Sequence, residues 1–178
     1  MLEAIRRGHP VPPHDMVRVR KDGRQIDVSL TLSPIKDQSG KILGLSTTVR
    51  DITQRKRAEA ALQESETKFR ALSELVPQMV WACTPDGLNV YFNQRWVEYT
   101  GLTIEESYGR GWNTPFHPDD RQTAWNAWNH AVATGTIYRV ESRLRGADGG
   151  YRWFLMRGVP LRDASGSIVK WFGTCTDI

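Results

Sequence analysis

Residues 148–178 read DGGYRWFLMRGVPLRDASGSIVKWFGTCTDI, and residues 22–52 read DGRQIDVSLTLSPIKDQSGKILGLSTTVRDI. Laid over one another at a constant offset of 126 (22 onto 148), with no gap, they match at ten positions. These are Asp22/Asp148, Gly23/Gly149, Pro34/Pro160, Asp37/Asp163, Ser39/Ser165, Gly40/Gly166, Ile42/Ile168, Thr48/Thr174, Asp51/Asp177 and Ile52/Ile178. Ile35, Lys36 and Leu43 meet the similar Leu161, Arg162 and Val169. The matches fall on turns and strand cores, so a turn-strand-turn-strand unit occurs twice.

The first copy shows what the unit is. Asp22-Gly23 supplies the positive φ a tight hairpin needs. Val17-Arg18-Val19-Arg20 alternates before that turn, and Ile26, Val28, Leu30 and Leu32 share one face after it. Pro34 is expected to end that second strand. Asp37-Gln38-Ser39-Gly40 is a second turn, and a third strand runs from Ile42 to Val49. Upstream, LEAIRR at 2–7 reads as a helix tail stopped by Gly8, and His9-Pro10-Val11-Pro12-Pro13 cannot continue it. Three strands are a poor domain alone. The second copy is preceded by its own long segment, Phe69 to Leu144, and the first is not. Residues 1–50 are therefore expected to be the C-terminal remnant of a first module.

Between the copies lies DITQRKRAEAALQESETKFRALSELVP, residues 51–77, with no Gly or Pro before Pro77. It predicts a long connecting helix. Leu62, Phe69 and Val76 recur every seven residues, as do Ala58, Ser65 and Leu72, an a/d stripe suited to a homodimer through this helix.

Residues 78–178 form the second module. QMVWACT (78–84) is a strand, Pro85-Asp86-Gly87 a turn, and 88–93 a second strand. A helix follows from Asn93-Gln94 to Gly101. Thr103-Ile104-Glu105-Glu106 has capping-box form. His117-Pro118-Asp119-Asp120 starts a long helix through Val132, ended by Gly135. Strands at 137–145, 151–160 and 168–176 close the chain. The fold class is α+β: a five-stranded antiparallel sheet with helices on one face.

Composition narrows the partners. A hydrophobic content of 39% fits a globular chain, and no apolar run of membrane-spanning length occurs. The N-terminus has no apolar signal core. Residues 1–57 carry twelve Lys/Arg against six Asp/Glu, and residues 58–178 carry twelve against fourteen. The basic excess peaks at Arg55-Lys56-Arg57, read as a solvated helix face. With no basic groove interleaved with aromatics, no nucleic-acid partner is expected. Two cysteines, Cys83 and Cys175, make no disulfide framework, and a reduced cytoplasmic setting is the simpler reading.

No catalytic set is found: there is no phosphate-binding glycine loop and no nucleophile elbow. Glu105-Glu106 and Asp119-Asp120 sit at helix starts, where the helix dipole accounts for them. Of the four histidines only His9 and His14 are close in sequence, so no metal site is expected. All seven tryptophans lie in the second module. They either fill its core, the simpler reading, or line a cavity between sheet and helices. In the cavity reading Trp96, Tyr99, Trp112, Trp125 and Trp128 stand on the helix side, with Arg143 and Met156 on the sheet side.

The order of elements and several local motifs resemble a PAS domain with its C-terminal PAC region. Asp86-Gly87, NQRWVEYTG (93–101), HPDDR (117–121), DGGYRWF (148–154) and GTCTDI (173–178) are similar to signatures of an HPDD-containing PAS subgroup. Asp51-Ile52-Thr53 followed by Arg55-Lys56-Arg57-Ala58-Glu59 is similar to the signalling-helix start of bacterial sensors. The resemblance implies a sensory and signal-relay module of a sensor histidine kinase in a two-component system, with the kinase's catalytic parts outside these residues. A ligand-free dimerisation spacer in such a kinase, or in a diguanylate cyclase, is the alternative. It further implies that Asp51, Ile52, Thr53, Asp177 and Ile178 couple sheet to helix, with Arg24 or Arg152 holding the aspartates. A covalent flavin would need a cysteine between Asn93 and Gly101, where none stands. His117 and His130 lie where haem-binding relatives carry a ligand, but read more simply as a cap and a surface residue.

Overall fold

The computed structural model describes residues 9–178, so the helix tail expected over 2–7 lies outside them. The chain divides into two compact units, 1–67 and 68–178. In the first, β1 (Val11–Val19), β2 (Gln25–Lys36) and β3 (Ile42–Asp51) form an antiparallel meander in the order β1-β2-β3. In the second, β4 (Met79–Cys83), β5 (Asn89–Phe92), β6 (Tyr138–Arg145), β7 (Tyr151–Arg162) and β8 (Ile168–Asp177) form a sheet in the order β5-β4-β8-β7-β6. All its pairings are antiparallel. Between β5 and β6 come α2 (Gln94–Thr100), α3 (Ile104–Ser107), a 3₁₀ turn (Gly111–Asn113) and α4 (Pro118–Thr134). One unbroken helix, α1 (Thr53–Leu75), occupies the predicted connector. No helix among the described residues is long and apolar enough to cross a membrane.

The repeat seen in the sequence is a repeat of register. Val28 faces Asp51 and Leu30 faces Val49 in the first unit; Phe154 faces Asp177 and Met156 faces Cys175 in the second, each pair shifted by 126. Even the irregularity recurs, between Ile35 and Lys36 and between Leu161 and Arg162. The turns match bond for bond. Asp37 Oδ1 accepts from Ser39 N–H at 2.9 Å, Ser39 Oγ at 2.6 Å and Lys41 N–H at 2.9 Å. Asp163 accepts from Ser165 N–H, Ser165 Oγ and Ser167 N–H at 2.9, 2.6 and 3.1 Å. Short carboxylate-to-backbone bonds of this kind hold the carboxyls of both aspartates below the usual range, the Ser39 and Ser165 hydroxyls contributing most.

Two expectations about proline fail together. Pro34 does not end β2, which runs on to Lys36, and Pro160 likewise sits inside β7. The pairing of β1 with β2 stops at Leu32, and that of β6 with β7 stops at Gly158. Each proline stands two residues past that point, where its side of the strand is open and no donor is needed. β1 also starts six residues earlier than the alternation suggested, taking in Pro12 and Pro13 at a bulge on the sheet edge.

The core of the second unit lies between the sheet and α2–α4. Trp81 lies across Gly158 and Gly173, which face each other on β7 and β8. A Cβ at Gly158 would come within 2.6 Å of Trp81 Cη2, and one at Gly173 would overlap the same ring. The two glycines are required by this close approach. Trp128 donates to the Gly87 carbonyl at 3.2 Å and Trp171 to the Pro85 carbonyl at 3.3 Å, tying the β4–β5 turn to the core.

The last turns of α1 belong to this unit and cover the other sheet face. Phe69 packs on Tyr91 and Phe172, which alternate with the inward-facing Phe92 and Trp171. Phe69 is thereby drawn out of the a/d stripe and into its own module. Ser73 shares a hydrogen bond with the Tyr91 hydroxyl. Pro77 has no N–H to offer the Ser73 carbonyl four residues back. The fully buried Asn93 serves instead: its Nδ2 donates to Ser73 O at 2.9 Å and Gln78 O at 3.0 Å, and its Oδ1 accepts from Val80 N–H at 2.9 Å. The Glu74 carboxylate takes the Gln94 N–H at the start of α2, and Arg95 Nε donates to Val76 O at 2.8 Å.

Candidate functional site

Two features of the structure can carry function: the interior of the second unit, and the points where strands meet helix. The interior comes first. Trp96, Trp112, Trp128 and Met156 line a small cavity under the helices, joined by Trp81, Cys83, Tyr138 and Cys175. It leaves about 30 Å³ for the centres of water-sized molecules, room for one or two. Most of the indole area is packed: Phe92 stacks on Trp96 with centroids 4.6 Å apart, and Trp128 meets Trp81 and Trp171 edge-on at 5.3 and 5.2 Å.

Three of the seven residues expected at the cavity lie elsewhere, for reasons of periodicity. Trp125 is three residues before Trp128 on α4 and is rotated to the rim, where it stacks on Trp112 at 5.8 Å beneath the Arg110 guanidinium. Tyr99 is three residues after Trp96. It packs edge-on against Phe154 at 4.9 Å and donates its hydroxyl to Leu144 O at 3.0 Å. Arg143 sits opposite Trp153 in the pairing of β6 with β7, one register step away in parity from Met156, so the two cannot face the same way.

Arg143 is engaged outside. Its Nε and Nη2 grip Asp120 at 2.9 and 2.8 Å, its N–H donates to the same carboxylate at 2.9 Å, and its guanidinium lies over Trp153. The helix dipole is therefore an incomplete account of Asp119-Asp120. Asp120 clamps α4 to β6, and the Arg143 hydrogen bond, first of all, holds its carboxyl below the ordinary range. The capping box at Thr103 and Glu106 is present as read.

Tyr138, Cys83 and Cys175 were not foreseen at the cavity, although the alternation of β6, β4 and β8 marks them in turn. Burial pushes the thiols of Cys83 and Cys175 up to about 12, so both stay protonated. Cys83 donates to Asn89 Oδ1 at 3.2 Å. Tyr138 is 3% exposed and its phenol is likewise pushed up by burial. Its hydroxyl has no hydrogen-bond partner. His117 does cap α4, its Nδ1 accepting from Asp119 N–H at 3.3 Å, and His130 is exposed on the same helix. Among the described residues no three His, Cys, Asp or Glu side chains gather as metal ligands.

At the first strand-to-helix junction β3 passes into α1 under a set of charges. Asp51 Oδ1 accepts from Thr53 N–H at 3.0 Å and Oδ2 from Arg20 at 2.8 Å. The Thr53 hydroxyl accepts from Asp27 N–H at 3.1 Å, and Lys56 pairs with the Asp27 carboxylate at 3.0 Å. Arg55 reaches Asp15 at 3.5 Å. Two corrections follow. Asp51 is held by Arg20, because Arg24 stands across the turn beside Asp22 at 3.8 Å. The Arg55-Lys56-Arg57 run is not simply solvated, since two of its members pair with β1 and β2. In the second copy Arg152 reaches Asp177 at 3.9 Å. Ile178 N–H donates to Trp153 O at 3.1 Å, as Ile52 N–H does to Asp27 O at 2.9 Å.

Comparison with known proteins agrees with this architecture. Residues 89–175 match a family model described as PAS fold, and residues 1–54 match one described as PAS domain. The chain is 42% identical over 128 residues, 72% of its length, to the uncharacterized protein y4lL of Sinorhizobium fredii. It is 32% identical over 161 residues, 82% of its length, to the peroxide stress-activated histidine kinase mak1 of Schizosaccharomyces pombe. It spans 15% and 10% of those two proteins. Among solved structures, the PAS domain of an HTR-like protein from Haloarcula marismortui is similar in fold, with a TM-score of 0.52 at 20% identity, covering 69% of this chain and 99% of that one.

Proposed function

Since the chain belongs to the PAS/PAC family of sensory domains, we propose that it is a sensory and relay module of a sensor histidine kinase in a two-component system. What carries this reading is the fastening of α1 at both ends. Its first turn is held by Asp51, Thr53 and Lys56 in one unit, and its last turns by Phe69, Ser73 and Glu74 in the other. A displacement in either sheet is thus handed to the helix through its backbone and first-turn side chains. Residues 1–50 act as the closing part of a first PAS module and 78–178 as the second. Asp177 and Ile178 repeat the geometry of Asp51 and Ile52 and form the outlet of the second module.

The working unit is a homodimer through α1 in a cytoplasmic protein. Ala58, Leu62, Ser65 and Leu72 form the seam, with Leu62 and Leu72 exposed and Phe69 excluded from it. Such a seam is short and apolar at few positions, which suits a helix whose state is set by its ends. The passive-spacer alternative gives the junction charges no role beyond stability. The test is autophosphorylation of the full-length protein carrying Asp51→Ala. The Arg20–Asp51 ion pair is solvent-exposed, so the variant should still fold, while the signal-dependent change in activity should be abolished. A full response in this variant would refute the relay.

A further inference from the structure

We propose that the groove beside the first strand-to-helix junction binds a diphosphate group, free or carried on a nucleoside, gripped by Arg20, Arg24 and Arg57. Its consequence for signalling rests on the relay reading above; the binding itself does not. The groove lies wholly within the first unit and offers about 440 Å³, far more than a single water fills. Arg20 and Arg24 border it from the hairpin joining β1 to β2, and Arg57 from α1, so cationic residues stand on two sides. Gln25 and Gln54 add neutral donors. Asp51 is the one carboxylate among the described residues that line it, so three arginines against one aspartate leave an excess of two positive charges. The protein matches only Arg20, with Asp51 at 2.8 Å. The Arg24 side chain is 84% exposed and 3.8 Å from Asp22, too far for a firm hydrogen bond. Arg57 pairs with none of the described residues.

The internal repeat shows that the hairpin does not require these arginines. At the offset of 126, Arg20 and Arg24 correspond to Gly146 and Gly150. The two turns are otherwise the same. Arg20 N–H donates to Arg24 O at 2.8 Å and Gly23 N–H to Arg20 O at 3.0 Å; Gly146 N–H donates to Gly150 O at 2.8 Å and Gly149 N–H to Gly146 O at 2.9 Å. Asp22 and Asp148 accept from the N–H two residues on at 3.0 and 2.9 Å. The second copy meets its aspartate with Arg152 alone, at the place of Ile26. Holding Asp51 therefore accounts for one guanidinium, and two are left over. Guanidinium forks take phosphoryl oxygens in pairs. A monovalent anion would leave half the excess standing, whereas a diphosphate presents one phosphoryl group to the hairpin and one to the helix. Binding draws Arg20 away from Asp51, the residue that also accepts from Thr53 N–H at the start of α1.

The test uses inorganic pyrophosphate as probe and the whole 178-residue protein. Arginine Nε–H cross-peaks of Arg20, Arg24 and Arg57 report the groove, and Arg139, on β6 of the other unit, serves as control. Pyrophosphate should shift the first three saturably and leave Arg139 unmoved. Arg57→Gln, which breaks no contact with the described residues, should weaken binding about 10-fold, the worth of a hydrogen bond to a charged group. Arg50→Gln removes the same charge from the same unit outside the groove and should change affinity less than about 2-fold. Asp51→Ala, which deletes the competing carboxylate, should tighten binding about 3-fold. ADP in place of pyrophosphate separates the two sources: tighter binding assigns the group to a nucleotide, equal or weaker binding to the free ion. No saturable shift, equal losses in Arg57→Gln and Arg50→Gln, or weaker binding by Asp51→Ala would overturn the proposal. These titrations need no kinase activity and the autophosphorylation test needs no pyrophosphate, so either idea can fail while the other stands.

Discussion

Replacing Asn93 by alanine should loosen the attachment of α1 to the second module and cost a substantial share of that module's stability. The side chain is fully buried and makes three hydrogen bonds. Alanine would strand the Val80 N–H and the carbonyls of Ser73 and Gln78. Pro77 cannot take over at Ser73. Each bond lost costs about 1 kcal/mol, and each stranded buried group adds to that, less whatever water reaches the cavity. A loss of about 3 kcal/mol is expected, a fall in Tm on the order of 15 °C for a unit of this size. Far-UV circular dichroism melts and urea titration measure it. Amide exchange at the end of α1 should rise more than at β7, because the helix end loses its cap. Asn93→Asp should be no better, since it keeps an acceptor for Val80 but turns a carboxylate toward two carbonyls. A drop under about 4 °C, or exchange rising uniformly, would show that Asn93 is not what fixes the helix end.

Gly173→Ala should destabilise the second unit by about 2–4 kcal/mol, because the added methyl meets the Trp81 ring against a facing strand; a Tm near wild type would mean that the indole moves freely. The Asp120–Arg143 clamp predicts an acid-side pH dependence. The folded pKa of Asp120 is depressed, so its contribution is present above the unfolded value of about 3.9 and is lost as pH falls through the lower folded value. Asp120→Asn should therefore flatten the fall of stability with acid while lowering stability at neutral pH by about 1–2 kcal/mol. Parallel acid-melting curves for the two proteins would refute this.

Much of the fold was legible because its signals are local. Asp-Gly turns, the Thr103 capping box and the alternation of Ile26 to Leu32 each depend on neighbours a few residues away. The repeat was legible because turn chemistry forces the same residues wherever the same hairpin is built. Pro34 misled because its tolerance depends on where a different strand stops. The cavity was the least legible part. Trp125, Tyr99 and Arg143 are of the right type, but a 60° turn of helix or one step of strand takes each out of it. Tyr138 was passed over because an unpartnered hydroxyl is a property of surroundings, which no single stretch of sequence carries. Arg20 as the partner of Asp51 depends on a contact across 31 positions.

The glycine pair beneath Trp81 has a consequence for how freely the two copies could be interchanged. At the offset of 126, Gly158 and Gly173 correspond to Leu32 and Thr47. Backbone register and turns are the same in both, so a graft of residues 22–52 in place of 148–178 would find its strand partners at once. It would still bring a leucine and a threonine into the plane that Trp81 occupies. The hairpin frame is portable between modules, and the surface it turns inward is tailored to one tenant.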